Sequence, residues 1–117
     1  MPSADVLERL AAVIAERARA RAEGAASAER SYVARLLEGG HGAIASKVRE
    51  EAEELIEAAA ANDGGHTAHE AADLLFHTWV LLAHAGVPPA DVFAELERRF
   101  GTSGLAEKAA RGGAKAG

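Results

Sequence analysis

The chain has 117 residues, enough for one domain with its own core and few enough to gain from association. It contains no cysteine, which excludes disulfide scaffolds, thiolate metal centres and cysteine nucleophiles. An apolar share of 49% with 26% charged residues fits a folded chain, and a net charge of −5 argues against a general nucleic-acid binder. No charged head followed by an apolar run marks a signal peptide. The longest apolar stretch, Leu74 to Ala83, is interrupted by His77 and falls far below the roughly 20 residues that span a bilayer. A cytoplasmic protein without membrane contact is expected.

Alanine, Leu, Glu and Arg dominate, β-branched residues are few, and no segment alternates apolar and polar for long. An all-α fold follows, with most glycines placed where helices should stop. The first helix is predicted from Asp5 to Glu23, with Ser3 or Asp5 as N-cap and a stripe of Val6, Leu7, Leu10, Val13 and Ile14. A short second helix starts near Ser31 and ends at Gly39-Gly40. The third runs from about Ala43 to Ala61 and stops at Asn62-Asp63-Gly64-Gly65. The fourth runs from about Thr67, a candidate cap, to Ala85, with Gly86 as its stop. It is apolar around much of its circumference, as in a helix that is central or buried between subunits. The fifth begins at Pro88-Pro89 and reaches Phe100. A short last helix is expected over Leu105 to Ala110, and the tail from Gly112 to Gly117 should fray. The expected architecture is an antiparallel bundle of about five helices in one domain over residues 1–111.

Two acidic clusters carry the chemistry. The third helix contains Lys47-Val-Arg-Glu50-Glu51-Ala-Glu53-Glu54, and at about 100° per residue Glu50, Glu51 and Glu54 share one side with Lys47. The fourth contains Glu70-Ala-Ala-Asp73, three apart on one face, with His77 four residues later. A five-residue loop at 62–66 makes an antiparallel hairpin and lets the clusters face each other. Two carboxylates about 4 Å apart repel by roughly 4 kcal/mol at an effective dielectric of about 20, so solvent, arginines, raised pKa values or a cation must compensate. Oxygen-only sites suit hard divalent cations, and Mg²⁺ favours carboxylates, waters and a substrate phosphate. An E-E-x-x-E run alone is more often a solvated face. Acid opening the apolar run Leu74-Leu75-Phe76 is harder to explain as decoration. A di-iron bundle wants Glu-x-x-His, and the one such pair, Glu38 to His41, straddles Gly39-Gly40, so that reading is weak. A lone His77 on a helix is more often packed or exposed than functional. His41, His66, His69 and His84 carry no spacing that argues for a site.

From Arg98 onward the chain turns basic, with Arg98, Arg99, Lys108, Arg111 and Lys115 against Glu107 alone. Gly101-Thr102-Ser103-Gly104 followed by a helix start, with hydroxyls and cations nearby, makes a phosphate cradle. A solubilising basic tail accounts for the same residues equally well. The sequence G-x-x-x-x-G-K-[ST] is absent, so this is not a P-loop.

Taken together, these runs resemble the phosphoribosyl-ATP pyrophosphatase family of histidine biosynthesis. The likeness rests on Ser31-Tyr32 with Leu36-Leu37, on Lys47 to Glu54, and on Glu70-Ala-Ala-Asp73-Leu74-Leu75-Phe76-His77. It also rests on Arg99-Phe-Gly101-Thr102-Ser103-Gly104-Leu105-Ala-Glu107-Lys108-Ala-Ala-Arg111, and covers about residues 5–111. The acidic motifs are shared with the wider all-α nucleotide pyrophosphatase superfamily, whereas the C-terminal run is more specific. Ala110 departs from the family's usual Ser. The resemblance implies Mg²⁺-dependent hydrolysis of phosphoribosyl-ATP to phosphoribosyl-AMP and pyrophosphate. It also implies a homodimer whose helices complete each site, and the monofunctional form with no cyclohydrolase segment, so that any contact with phosphoribosyl-AMP cyclohydrolase is transient. It places Glu50, Glu51, Glu54, Glu70 and Asp73 around the metal, with Glu50 or Glu51 as the base. Lys47, Arg99, Thr102, Ser103, Lys108 and Arg111 would bind the phosphates. The rivals are a house-cleaning nucleoside triphosphate pyrophosphatase of the same superfamily and a non-catalytic helical dimer with a solvated acidic face.

Overall fold

In a computed structural model of the chain, residues 5–24 and 31–100 are described, and all their regular structure is α-helical. The helices are α1 (Val6–Ala22), α2 (Tyr32–Ala60), α3 (Gly64–Ala85) and α4 (Pro89–Phe100). The chain divides into two compact units, Met1–Val87 and Pro88–Gly117. No described helix is long and apolar enough to cross a membrane. The expected last helix over Leu105 to Ala110 and the expected frayed tail lie outside the described residues.

In the first unit α2 and α3 pack along their lengths and α1 lies against both. Ile14, Ile44 and Val80 are fully buried where the three meet, flanked by Val33, Leu36, Ala58 and Trp79. The Trp79 indole N–H donates to the Leu7 carbonyl at 3.2 Å, which ties α1 to α3. Of the apolar stripe expected on the first helix, Ile14 is buried and Leu7 and Leu10 are half-buried, while Val6 and Val13 stay exposed.

The second and third predicted helices are one element with a break. The helix starts at Ser31, whose hydroxyl accepts from the Ala34 N–H at 3.2 Å. The interruption expected at Gly39-Gly40 is confined to Gly40, with φ 80° and ψ −171°, and helix resumes without a loop. That conformation is essentially restricted to glycine. Its consequence is large. Tyr32 and Lys47 would lie about 22 Å apart along a straight helix, at about 1.5 Å per residue. Instead Tyr32 is the strongest electrostatic neighbour of Lys47, and its hydroxyl reaches His77 of α3 at 2.8 Å. The break folds the first segment of α2 back along the hairpin.

The turn into α3 is shorter than expected. Only residues 61–63 separate the helices, and Gly64, Gly65 and His66 already form the first turn of α3. Asp63, not Thr67, is the cap: its carboxylate accepts from the His66 N–H at 3.0 Å. The Thr67 hydroxyl instead donates to the Asp63 carbonyl at 2.7 Å. Asp is the stronger cap, and the two glycines are tolerated in a first turn that it anchors. The other end follows expectation: Gly86 takes φ 74°, and the Val87 N–H donates to the Leu82 carbonyl at 2.9 Å.

In the second unit α4 opens at Pro89 and stands as an amphipathic helix. Glu95 accepts from both Arg98 and Arg99, at 2.6 Å from Arg98 Nη2 and 2.9 Å from Arg99 Nε.

Candidate functional site

The hairpin brings acid from both helices to one place. Glu51 and Glu54 come from α2 and Glu70 from α3, and one carboxylate oxygen of each lies within 4.8 Å of the others. Asp73 joins them one turn along α3, within 4.8 Å of Glu70 and His69. Glu51 and Glu70 are each 6% exposed, which is unusual for carboxylates. Glu51 Oε2 and Glu70 Oε1 are buried with no hydrogen-bond partner. Two ionised carboxylates cannot donate to each other, so a proton, a water or a cation is needed to satisfy these oxygens.

Burial raises the Glu51 carboxyl above its ordinary 4.5; a hydrogen bond that its protonated form shares with Glu70 adds to this, as do the charges of Asp73 and Glu70. His77 opposes the shift. The cluster therefore carries more negative charge than its surroundings neutralise. An all-oxygen donor set of this kind could hold a hard divalent cation.

The remaining expected acid, Glu50, is half-exposed and pairs with Lys47 at 3.7 Å instead of joining either cluster. Tyr32, then Glu50 and Glu51, raise the Lys47 ammonium above its ordinary 10.5. Lys47 thus stays cationic at the rim of the acidic group. Arg99 lies on α4 and is engaged by Glu95. Thr102, Ser103, Lys108 and Arg111 lie outside the described residues.

Five contacts escape sequence reasoning. His77 is 5% exposed and bonded at both ring nitrogens. Its Nδ1–H donates to the Asp73 carbonyl at 2.8 Å, and Nε2 shares a hydrogen bond with the Tyr32 hydroxyl at 2.8 Å. Phe76 stacks on Tyr32 with ring centroids 6.0 Å apart. Tyr32 is 45 residues from His77, so no spacing could reveal the pair. His66 and His69 contact Glu70 and Asp73, at 2.9 and 3.3 Å. Here a signal was present: each histidine stands four residues before its carboxylate, the spacing at which helical side chains meet.

Beside the cluster, Glu54, Glu57, Ala58, Ala61, His66 and Glu70 line an open cleft of about 360 Å³. That is the low end of the range for small-molecule sites. Ala58 and Ala61 are small and leave space beside the carboxylates of Glu54, Glu57 and Glu70.

Comparison with known proteins agrees with this chemistry. The phosphoribosyl-ATP pyrophosphohydrolase family matches residues 7–100, which include Glu50, Glu51, Glu54, Glu70 and Asp73. The chain is 61% identical over 90 residues to the phosphoribosyl-ATP pyrophosphatase of Rhizorhabdus wittichii, covering 77% of this chain and 85% of that protein. It is 52% identical over 109 residues to that of Parvibaculum lavamentivorans, covering 93% and 94%. It is also 52% identical over 113 residues to that of Paracidovorax citrulli, covering 93% and 80%. A match running through both compact units, shared at more than half of the aligned positions with relatives over most of their length, shows that the chain belongs to the phosphoribosyl-ATP pyrophosphohydrolase family.

Proposed function

We propose that this protein hydrolyses phosphoribosyl-ATP to phosphoribosyl-AMP and pyrophosphate, the second step of histidine biosynthesis, with Mg²⁺ as cofactor. The observation that carries the reading is the pair of buried carboxylate oxygens without partners, Glu51 Oε2 and Glu70 Oε1, inside the family's matched region. Glu51, Glu54, Glu70 and Asp73 would hold the cation. Glu50, facing Lys47, would be drawn in only as Lys47 turns to the substrate. When bound, Mg²⁺ supplies charge neutralisation at the departing pyrophosphate and lowers the pKa of an attacking water.

This chain's own groups do the rest. Glu50 or Glu51, through a carboxylate oxygen not used in holding the cation, takes the proton of the water that attacks the phosphate. Lys47 holds its charge and binds phosphate oxygens. The Tyr32–His77–Asp73 chain keeps the α3 backbone at Asp73 in register with α2. Arg99, once released from Glu95, and Thr102, Ser103, Lys108 and Arg111 bind the phosphoribosyl phosphate or the triphosphate, from the same subunit or its partner.

We take residues 1–111 as one functional domain, since the family match crosses both compact units. We also take the protein as a cytoplasmic homodimer. Val13, Ile56 and Leu75 support the dimer: they are 43, 63 and 41% exposed, which leaves apolar surface for a second copy. Contact with phosphoribosyl-AMP cyclohydrolase, if formed, is transient.

Pyrophosphate release from phosphoribosyl-ATP, with and without Mg²⁺ and with ATP in parallel, tests the reading. Mg²⁺-dependent release from phosphoribosyl-ATP alone is expected. Equal release from ATP would retain the chemistry and overturn the substrate. Silence on both, from a folded protein, would return the acidic helices to a structural role.

A further inference from the structure

The acidic group discussed above offers only oxygen, yet α3 also brings nitrogen to the same carboxylates. His69 Nε2 and one oxygen each of Glu70 and Asp73 lie within 4.8 Å of one another. His69 and Asp73 stand four apart, so both reach one point beside the helix, and Glu70 is turned inward. The Glu70 side chain is 8% exposed. His66 Nε2 occupies Glu70 Oε2 at 2.9 Å, and Oε1 is left buried without a partner. A second group, Glu51, Glu54 and Glu70, meets the same 4.8 Å criterion with oxygen alone. Glu70 is common to both.

Two donor sets of different chemistry therefore adjoin. Mg²⁺ demands oxygen and keeps much of its water. Imidazole favours borderline transition ions such as Zn²⁺. We infer that His69, Glu70 and Asp73 form a nitrogen-bearing cation locus that selects a divalent transition ion over Mg²⁺ and shares Glu70 with the all-oxygen locus. The inference rests on the reading of Glu70 and Asp73 as cation ligands. Because Glu70 serves both loci and Asp73 is also among the proposed Mg²⁺ ligands, a transition ion at the first withdraws ligands from the second. His66 is a positioning residue here, holding Glu70 through Oε2. The His69 side chain is 70% exposed, so solvent or a phosphate oxygen completes the coordination.

The test is calorimetric titration of the full chain, stripped by a chelator, with ZnCl₂ and separately with MgCl₂. The readout is the ratio of Zn²⁺ to Mg²⁺ affinity. His69→Gln should lower that ratio by about tenfold or more, on the scale of lost metal-site contacts. His41→Gln, an exposed histidine outside both groups, should leave it unchanged. Glu54→Gln should move the ratio the other way, since it removes a donor from the oxygen locus alone. In visible absorption, Co²⁺ should give bands in the wild-type protein that His69→Gln weakens. An unchanged ratio in His69→Gln with Mg²⁺ binding intact would overturn the nitrogen-bearing locus and leave the proposed function standing. Failure of the wild-type chain to bind either ion would overturn both. Circular dichroism confirms that each variant is folded, and His69→Ala repeats the test with the polar end of the side chain removed.

Discussion

Glu51 and Glu95 are the same residue type on helices of one chain, and their surroundings move them in opposite directions. Glu51 sits in the hairpin among other acids, buried, and its carboxyl is raised above 4.5. Glu95 sits on α4 between two arginines, in solvent, and hydrogen bonds from Arg98 and then Arg99 lower it to about 2. The second arrangement is complete as it stands: the one carboxylate is held by two cations. The first is not complete, because like charges are gathered and two oxygens are left unsatisfied. Such a cluster is a candidate for completion from outside. That difference, more than the number of acids, separates a functional carboxylate group from a solvated acidic face.

The comparison can be broken most severely at the ligands. Glu54→Gln or Asp73→Asn should reduce turnover by roughly 10²–10³-fold while the fold persists, on the scale of losing one electrostatic participant in a reaction. Steady-state pyrophosphate release with circular dichroism checks this. A variant with full activity would place the cation elsewhere.

Next comes the break in α2. Gly40→Ala should cost about 1–3 kcal/mol, because its φ of 80° with ψ near −171° suits only glycine. Denaturant unfolding measures the loss, and activity should fall with it, since Tyr32 would be drawn away from His77. A neutral result would mean that the break is not needed.

Glu51→Gln sharpens the contrast further. Without metal it should stabilise the protein by roughly 0.5–2 kcal/mol through relief of buried repulsion. The wild-type protein should gain about 2.7 kcal/mol from Mg²⁺ at a hundred times Kd, and the variant much less. Thermal unfolding with and without Mg²⁺ separates the two effects. A variant less stable than wild type in chelator would show that the Glu51 charge is already compensated.

The smallest effects are in pH dependence, and they carry opposite signs. The raised Glu51 carboxyl makes the folded state bind the proton more tightly than the unfolded state. Metal-free stability therefore falls as pH rises from 4.5 through the raised folded value. Glu95 is depressed, so its contribution is present above 4.5 and is lost as pH falls toward about 2. Being exposed, it should be small and should shrink further in salt. Compared with the wild type, the Tm–pH profiles of Glu51→Gln and Glu95→Gln should each lose one limb. Identical profiles would refute both assignments.

Much of this was legible in the residues. Helix formers with glycine stops define an all-α chain, and E-E-x-x-E with E-x-x-D places acid on facing helices. The i,i+4 pairs His66–Glu70 and His69–Asp73 were equally present in the spacing, although histidine alone argues for little. The cap at Asp63 was misjudged because Gly64 and Gly65 read locally as a loop, whereas packing against α2 rewards starting α3 a turn early. Two things depend on contacts far apart in sequence. Burial of Glu51 and Glu70 comes with the packing of α2 against α3, and burial is what turns an acidic stripe into an unsatisfied one. The Tyr32–His77 bond needs α2 to fold back at Gly40, and a glycine pair signals a break without giving its direction. Periodicity records which side of a helix a residue occupies; only tertiary structure decides what faces that side, and so sets its dielectric and its partners.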